Sequence, residues 1–120
     1  MSETPPVLQR MTDMWNESDP GKIRGYIDEI FSEDVIFIDP ANSIVGRDAV
    51  ETMVRTLRKR LPEAIVSHSS GFDGHHGLYR YHWEIHPGGE LVVEGFDVSE
   101  IDSSGRVSRV EGFSCRIPES

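Results

Sequence analysis

Two acids stand where their neighbours do not favour them. Asp39 closes the apolar run VIFIDP, Val35 to Pro40, and Asp97 sits between Phe96 and Val98 in FDVSEID. A carboxylate among apolar residues is costly unless it is paired, protonated or at work. Each acid therefore has two readings. Asp39 is a general base at a cavity wall, where limited solvation raises basicity, or it starts a turn before Pro40. Asp97, in mid-strand where Asp is disfavoured, is a donor that polarises a substrate carbonyl, or the buried ion-pair partner of Arg80 or His82 on a neighbouring strand. In the second case Asp97 is ionised and cannot donate, and Arg80 or protonated His82 becomes the electrophile.

Other chemistries find less support. His75, His76, His82 and His86 show no HxH or HExxH spacing and no cysteine partner, so no metal site is expected. Cys115, the single cysteine, has no His at a meaningful spacing and makes an intrachain disulfide impossible. Gly88 and Gly89 belong to a hairpin turn, and the chain has no phosphate loop or dinucleotide fingerprint. No cofactor is expected.

The chain that must position these residues has 120 residues, 37% of them hydrophobic and 28% charged, the profile of one soluble globular domain spanning 1–120. A net charge of -9 argues against nucleic-acid and anionic-membrane partners, which need clustered cations. The one basic run, Arg55 to Arg60, is better read as a helix end complementing the backbone dipole. The start MSETPPVLQR lacks a basic segment followed by an apolar one, so no signal peptide and a cytoplasmic location are expected. No apolar run approaches a membrane span.

Apolar residues recur at helical spacing from Val7 to Asn16. A second helix starts at Asp19–Pro20 and carries Ile23, Tyr26, Ile27, Ile30 and Phe31 on one stripe. VIFID follows as a strand. ANSIVGRD is expected to be a loop into a third helix, with Val50, Met53, Val54, Leu57 and Leu61 as its stripe and Pro62 as its stop. The rest reads as strands near Ile65–Phe72, Leu78–His86, Glu90–Ile101 and Val107–Ile117, joined by DGHHG, HPGGE and DSSGR turns. The expectation is an α+β fold in which three N-terminal helices pack on a curved antiparallel sheet, leaving a conical cavity for a ligand.

In LYRYHWEI the two faces differ. Arg80, His82 and Glu84 share one, and Tyr79, Tyr81 and Trp83 share the other. The aromatic row suits either the core or a dimer interface, and the polar row suits either water or the cavity. Alternation alone leaves both arrangements open.

The segments FSEDVIFIDP, IVGRDAVETM and VEGFDVSEIDSSGRVSRVEGF resemble the nuclear transport factor two-like superfamily, which includes SnoaL-like polyketide cyclases and ketosteroid isomerases. The resemblance covers nearly the whole chain. It implies a cystatin-like cone and a homodimer through the convex sheet face, here with Tyr79, Tyr81 and Trp83. It also implies Asp39, before Pro40, as base and Asp97 as oxyanion donor, with Arg80, His82 and Glu84 lining the cavity. One position departs: the helix-one Tyr of the isomerases is replaced by Met11, or by Met14 if the helix is shifted. The expected function is general-base proton transfer next to a carbonyl on a hydrophobic small molecule, giving isomerisation or cyclisation. Asp39 is the base, and Asp97 with Arg80 or His82 stabilises the enolate. Met11, Trp15, Phe37, Met53, Leu57, Glu84 and Val93 contact the substrate. The alternatives are a non-catalytic ligand-binding or dimerisation module and a dehydratase or hydrolase using His82.

Overall fold

The computed structural model describes residues 4–87 and 93–114. Three helices come early in the chain. Helix α1, Pro6–Trp15, starts on proline, whose missing N–H is no loss in the first turn. Helix α2, Pro20–Ile30, is capped by Asp19, which accepts the Gly21 amide at 2.9 Å. Helix α3, Arg47–Arg60, carries Asp48 in its first turn and Arg58, Lys59 and Arg60 in its last, both signs favourable to the helix dipole. It begins after Gly46, at a φ of 95° that a side chain rarely adopts.

The strands are β1 (Phe31–Asp39), β2 (Asn42–Val45), β3 (Ala64–His68), β4 (Asp73–His75), β5 (Leu78–Pro87), β6 (Val93–Ile101) and β7 (Val107–Ser114). Their order in the sheet is β2-β1-β7-β6-β5-β3, with β4 also pairing β5. The sheet is curved and unclosed, with three helices packed on it, as the α+β expectation held. Two features differ from the sequence reading. ANSIVGRD contains a strand, because Asn42–Val45 folds back on β1 in a tight hairpin. The sheet is mixed, because β1 lies parallel to β7, with Phe37 opposite Val110. Periodicity reports that a segment is extended and says nothing of its neighbour. The HPGGE turn, the start of the strand expected at Glu90 and the end of that expected at Ile117 lie outside the described residues, as does Cys115.

The core lies between the helices and the inner sheet face. Leu8, Met14, Ile23, Ile27, Ile30, Phe31, Val35, Val50, Val54, Val107 and Val110 are fully buried there. Each such side chain contributes roughly 1.5–3 kcal/mol by leaving water.

The β5 faces decide how the site is built. Tyr81 is only 3% exposed and belongs to the core, with Tyr79 and Trp83 packed against it. The aromatic row therefore faces the helices, and the assignment of Tyr79, Tyr81 and Trp83 to a convex interface is corrected. So is the placement of Arg80, His82 and Glu84 at the cavity: they lie on the opposite, convex face. The physical reason is that the helix-covered face is the one that must exclude water, and the largest apolar side chains go there. Neighbouring glycines make room for the rings. A Cβ at Gly95 would overlap the Trp83 indole, and one at Gly74 would overlap the Tyr79 ring.

Candidate functional site

A cavity of about 870 Å³ opens between helices α1 and α3 and the concave sheet. Met11 and Trp15 from α1, Met53 and Leu57 from α3, and Phe37, Trp83 and Ile85 from the sheet make its walls. Trp15 meets Phe37 edge-on, with ring centroids 6.3 Å apart. Of the residues expected to contact substrate, Met11, Trp15, Phe37, Met53, Leu57 and Val93 all line this cavity. Glu84 does not. It lies on the convex face, bonded to His86 Nε2 at 2.8 Å.

Asp39 and Asp97 both line the cavity. They reach it from strands that flank β7: Asp97 is opposite Gly112, and Ile38, one residue before Asp39, is opposite Glu111. Gly112 is thus the gap between the two acids. A Cβ there would lie 3.0 Å from Asp97 Oδ1 and 3.1 Å from Asp39 Cβ. Those two atoms are therefore no more than about 6 Å apart. Any side chain at 112 would fill the space between Asp97 Oδ1 and Asp39 Cβ.

The two acids are held differently. Asp39 Oδ1 accepts the Ala41 amide at 2.9 Å, the Asn42 amide at 2.7 Å and the Asn42 side-chain amide at 3.0 Å. The turn role proposed for Asp39 is real, since this oxygen closes the β1–β2 hairpin. The other oxygen has one longer contact, to Asn42 Nδ2 at 3.2 Å. One carboxylate thus serves both readings, with Oδ1 in the turn and Oδ2 the less committed atom.

Asp97 Oδ1 accepts the Trp83 indole N–H at 2.9 Å. Burial pushes the Asp97 carboxyl up to about 6; the Trp83 bond pulls it down and the Asp39 charge pushes it up. The indole occupies Oδ1, so a proton on Asp97 sits on Oδ2, free to be donated to a ligand oxygen. Beside it Tyr81 bonds Ser99 Oγ at 2.7 Å, and burial followed by the Asp97 charge drives the phenol well above its ordinary value.

The partners expected for Asp97 are elsewhere. Arg80 binds Asp73 at 2.7 Å on the surface, with both side chains 65% exposed. His82 packs against Phe96 on the convex face, ring centroids 5.1 Å apart. Neither reaches the cavity, because side chains one residue apart on a strand leave by opposite faces. Met11 lines the cavity, and its thioether has no hydrogen to donate. Among the described residues no group of three metal-ligating side chains converges.

Sequence reasoning missed Gly112, Trp83 and His68. Gly112 had a signal, an isolated glycine inside a strand pattern. Trp83 had none beyond its alternation. His68 lines the cavity from β3 and its neutral form is favoured, because burial lowers its pKa.

The chain matches the family model described as SnoaL-like domain over residues 8–110. Among solved structures it resembles a candidate isomerase of the SnoaL-like family from Agrobacterium tumefaciens, at 26% identity and a TM-score of 0.85, covering 92% of this chain and 95% of that one. It also resembles an NTF2-like protein of unknown function from Exiguobacterium, at 17% identity and a TM-score of 0.77, covering 92% and 99%. A third is a candidate polyketide cyclase from Sinorhizobium meliloti, at 16% identity and a TM-score of 0.72, covering 91% and 94%. No curated protein matches the chain.

Proposed function

The chain belongs to the SnoaL-like domain family, and from that premise we propose that it moves a proton next to a carbonyl on a hydrophobic small molecule, giving isomerisation or cyclisation. The observation that carries the reading is the pair Asp39 and Asp97 on either side of Gly112, both lining one apolar-walled cavity. Asp39 takes the proton from the carbon beside the carbonyl. Asp97, in the form that holds its proton on Oδ2 and dominates below about pH 6, donates to the carbonyl oxygen as it becomes an enolate. Electrons from the C–H bond form a double bond between that carbon and the carbonyl carbon, and the carbonyl π pair moves onto the oxygen. Asp39 then returns the proton at a second carbon, or the enolate carbon attacks a second carbonyl of the same molecule, whose C–O π bond opens and whose oxygen takes the proton from Asp39. Names given to two of the similar structures, a candidate isomerase and a candidate polyketide cyclase, support the same class. No helix among the described residues is long and apolar enough to cross a membrane.

The test is hydrogen exchange. With 2-tetralone in D2O, NMR should report catalysed deuterium uptake beside the carbonyl by the wild type. Asp39→Asn should lose it by about 10²-fold or more. Equal rates for the two proteins would overturn the reading.

Met11 favours a second reading, a binding module. With a thioether in place of a phenol, Asp97 is the one carboxylic donor available to an enolate oxygen. Tight ligand binding with no exchange in the wild type would select this reading. A dehydratase or hydrolase using His82 loses its support, since His82 faces away from the cavity. A homodimer, in either reading, would use the convex face with His82 and Phe96 in place of the aromatic row. Sedimentation equilibrium should give twice the mass of the 13.5 kDa chain.

A further inference from the structure

The cavity has a second polar place, on the far side of Asp97 from Asp39. His68 on β3 and Thr12 on α1 both line it, and His68 Nε2 lies 2.9 Å from Thr12 Oγ1. The imidazole is fixed by edge-on contacts with Phe72 and Tyr81, at centroid distances of 4.6 and 5.5 Å. Thr12 and Ser99 are the buried polar residues among those described, and Ser99 is satisfied by Tyr81.

A tie between α1 and β3 does not by itself account for the pair. Asn16 already makes that tie twice, donating to the Val66 carbonyl at 2.8 Å and accepting the Val66 amide at 2.7 Å. An apolar pair at 12 and 68 would pack the same junction without polar groups to satisfy. The Thr12 hydroxyl also reaches the Leu8 carbonyl, at 3.3 Å. With its proton committed there, Nε2–H donates to Thr12, and Nδ1 carries the lone pair. Nδ1 has no hydrogen-bond partner among the described residues. A ring held on one edge and open on the other, on a cavity wall, is arranged to accept a hydrogen bond from something inside.

The ladders fix where that ligand atom lies. His68 is opposite Trp83, and Asp97 is opposite Tyr81. The two positions are separated by β5 and offset by two residues along it, so their backbones stand two strand spacings across and two residues along, roughly 12 Å apart. We propose that the Thr12–His68 pair is a second polar subsite, reading a hydroxyl on the ligand at the end away from the oxygen held by Asp97. The ligand class is then a rigid apolar body with an oxygen at each end. This rests on the cavity reading given under Proposed function, and adds to it a residue pair and a ligand feature.

The probes are 4-phenylphenol and 4,4′-dihydroxybiphenyl, equal in shape, the second with hydroxyls at both ends. Affinities are measured by calorimetry for the wild type, Thr12→Val, His68→Phe and Asp97→Asn. Thr12→Val keeps the volume and His68→Phe keeps a ring, and circular dichroism confirms that each folds. The expected result is that the wild type prefers the dihydroxy probe about five- to tenfold, the worth of one added hydrogen bond. The preference, read as the ratio of the two probes' affinities within each variant, falls to about one in Thr12→Val and His68→Phe. Wild-type binding of both probes with equal affinity, sensitive to Asp97→Asn, overturns the subsite and leaves the cavity reading standing. A preference that survives in both Thr12→Val and His68→Phe does the same. Binding of neither probe, or binding indifferent to Asp97→Asn, overturns the cavity reading and the subsite together.

Discussion

The Trp83 indole donates to Asp97 Oδ1 at 2.9 Å, diagonally across the β5–β6 ladder, for Trp83 stands opposite Gly95 and Asp97 opposite Tyr81. The missing Cβ at Gly95 lets the indole lie over the next strand and reach the acid. Three inner-face positions thus act as one device: a glycine admits a ring, the ring fixes one oxygen of an acid, and the other oxygen is left for a ligand.

Asp97→Asn tests the charge at this position. The folded carboxyl sits at about 6, above its unfolded value of 3.8, so the folded state holds the proton more tightly. Stability then falls as pH rises between those values, and the full cost of the buried charge is present above them. The amide keeps an acceptor for Trp83 and removes that charge. Urea titrations should give a variant more stable than wild type by about 3 kcal/mol at pH 7.5, with the gain vanishing below about pH 4.

Trp83→Phe removes the bond that draws the Asp97 carboxyl downward while keeping an aromatic ring. The carboxyl 13C shift of Asp97, followed by NMR against pH, should titrate at a higher midpoint than in the wild type. An unchanged midpoint would mean that the indole contact does not persist in solution.

Gly112→Ala should separate fold from function. The added methyl meets Asp97 Oδ1 at 3.0 Å and Asp39 Cβ at 3.1 Å, close enough to push one acid aside. The expected cost in stability is about 1–3 kcal/mol, with 2-tetralone exchange reduced at least tenfold. Thermal melts beside exchange rates will show it.

Arg80→Ala should do almost nothing. Its pair with Asp73 is on the surface, and such pairs contribute about 0–1 kcal/mol. Ligand affinity and exchange rate should match the wild type. A clear loss of affinity would mean that the strand faces are reversed in solution.

Much of this was legible in the residues. The three helices carry their own stripes, caps and stops, so Asp19–Pro20 and Pro62 mark boundaries without any tertiary partner. Asp39 and Asp97 were visible because an acid among Val, Ile and Phe is costly, and that cost is local. The β2 hairpin was missed because Asn42–Val45 is only four residues long, too few for alternation to speak.

The rest needed three dimensions. Alternation in LYRYHWEI defines two faces and cannot say which of them the helices cover. Burial decided that, and it sent Arg80 and His82 outward. Likewise the distance between Asp39 and Asp97 depends on β7 running between their strands, parallel to one and antiparallel to the other. The sequence determined which side chains are too expensive to be idle. Only strand order and the helix-covered side of the sheet decided which of them meet, because pairing and burial are relations between segments far apart in the chain.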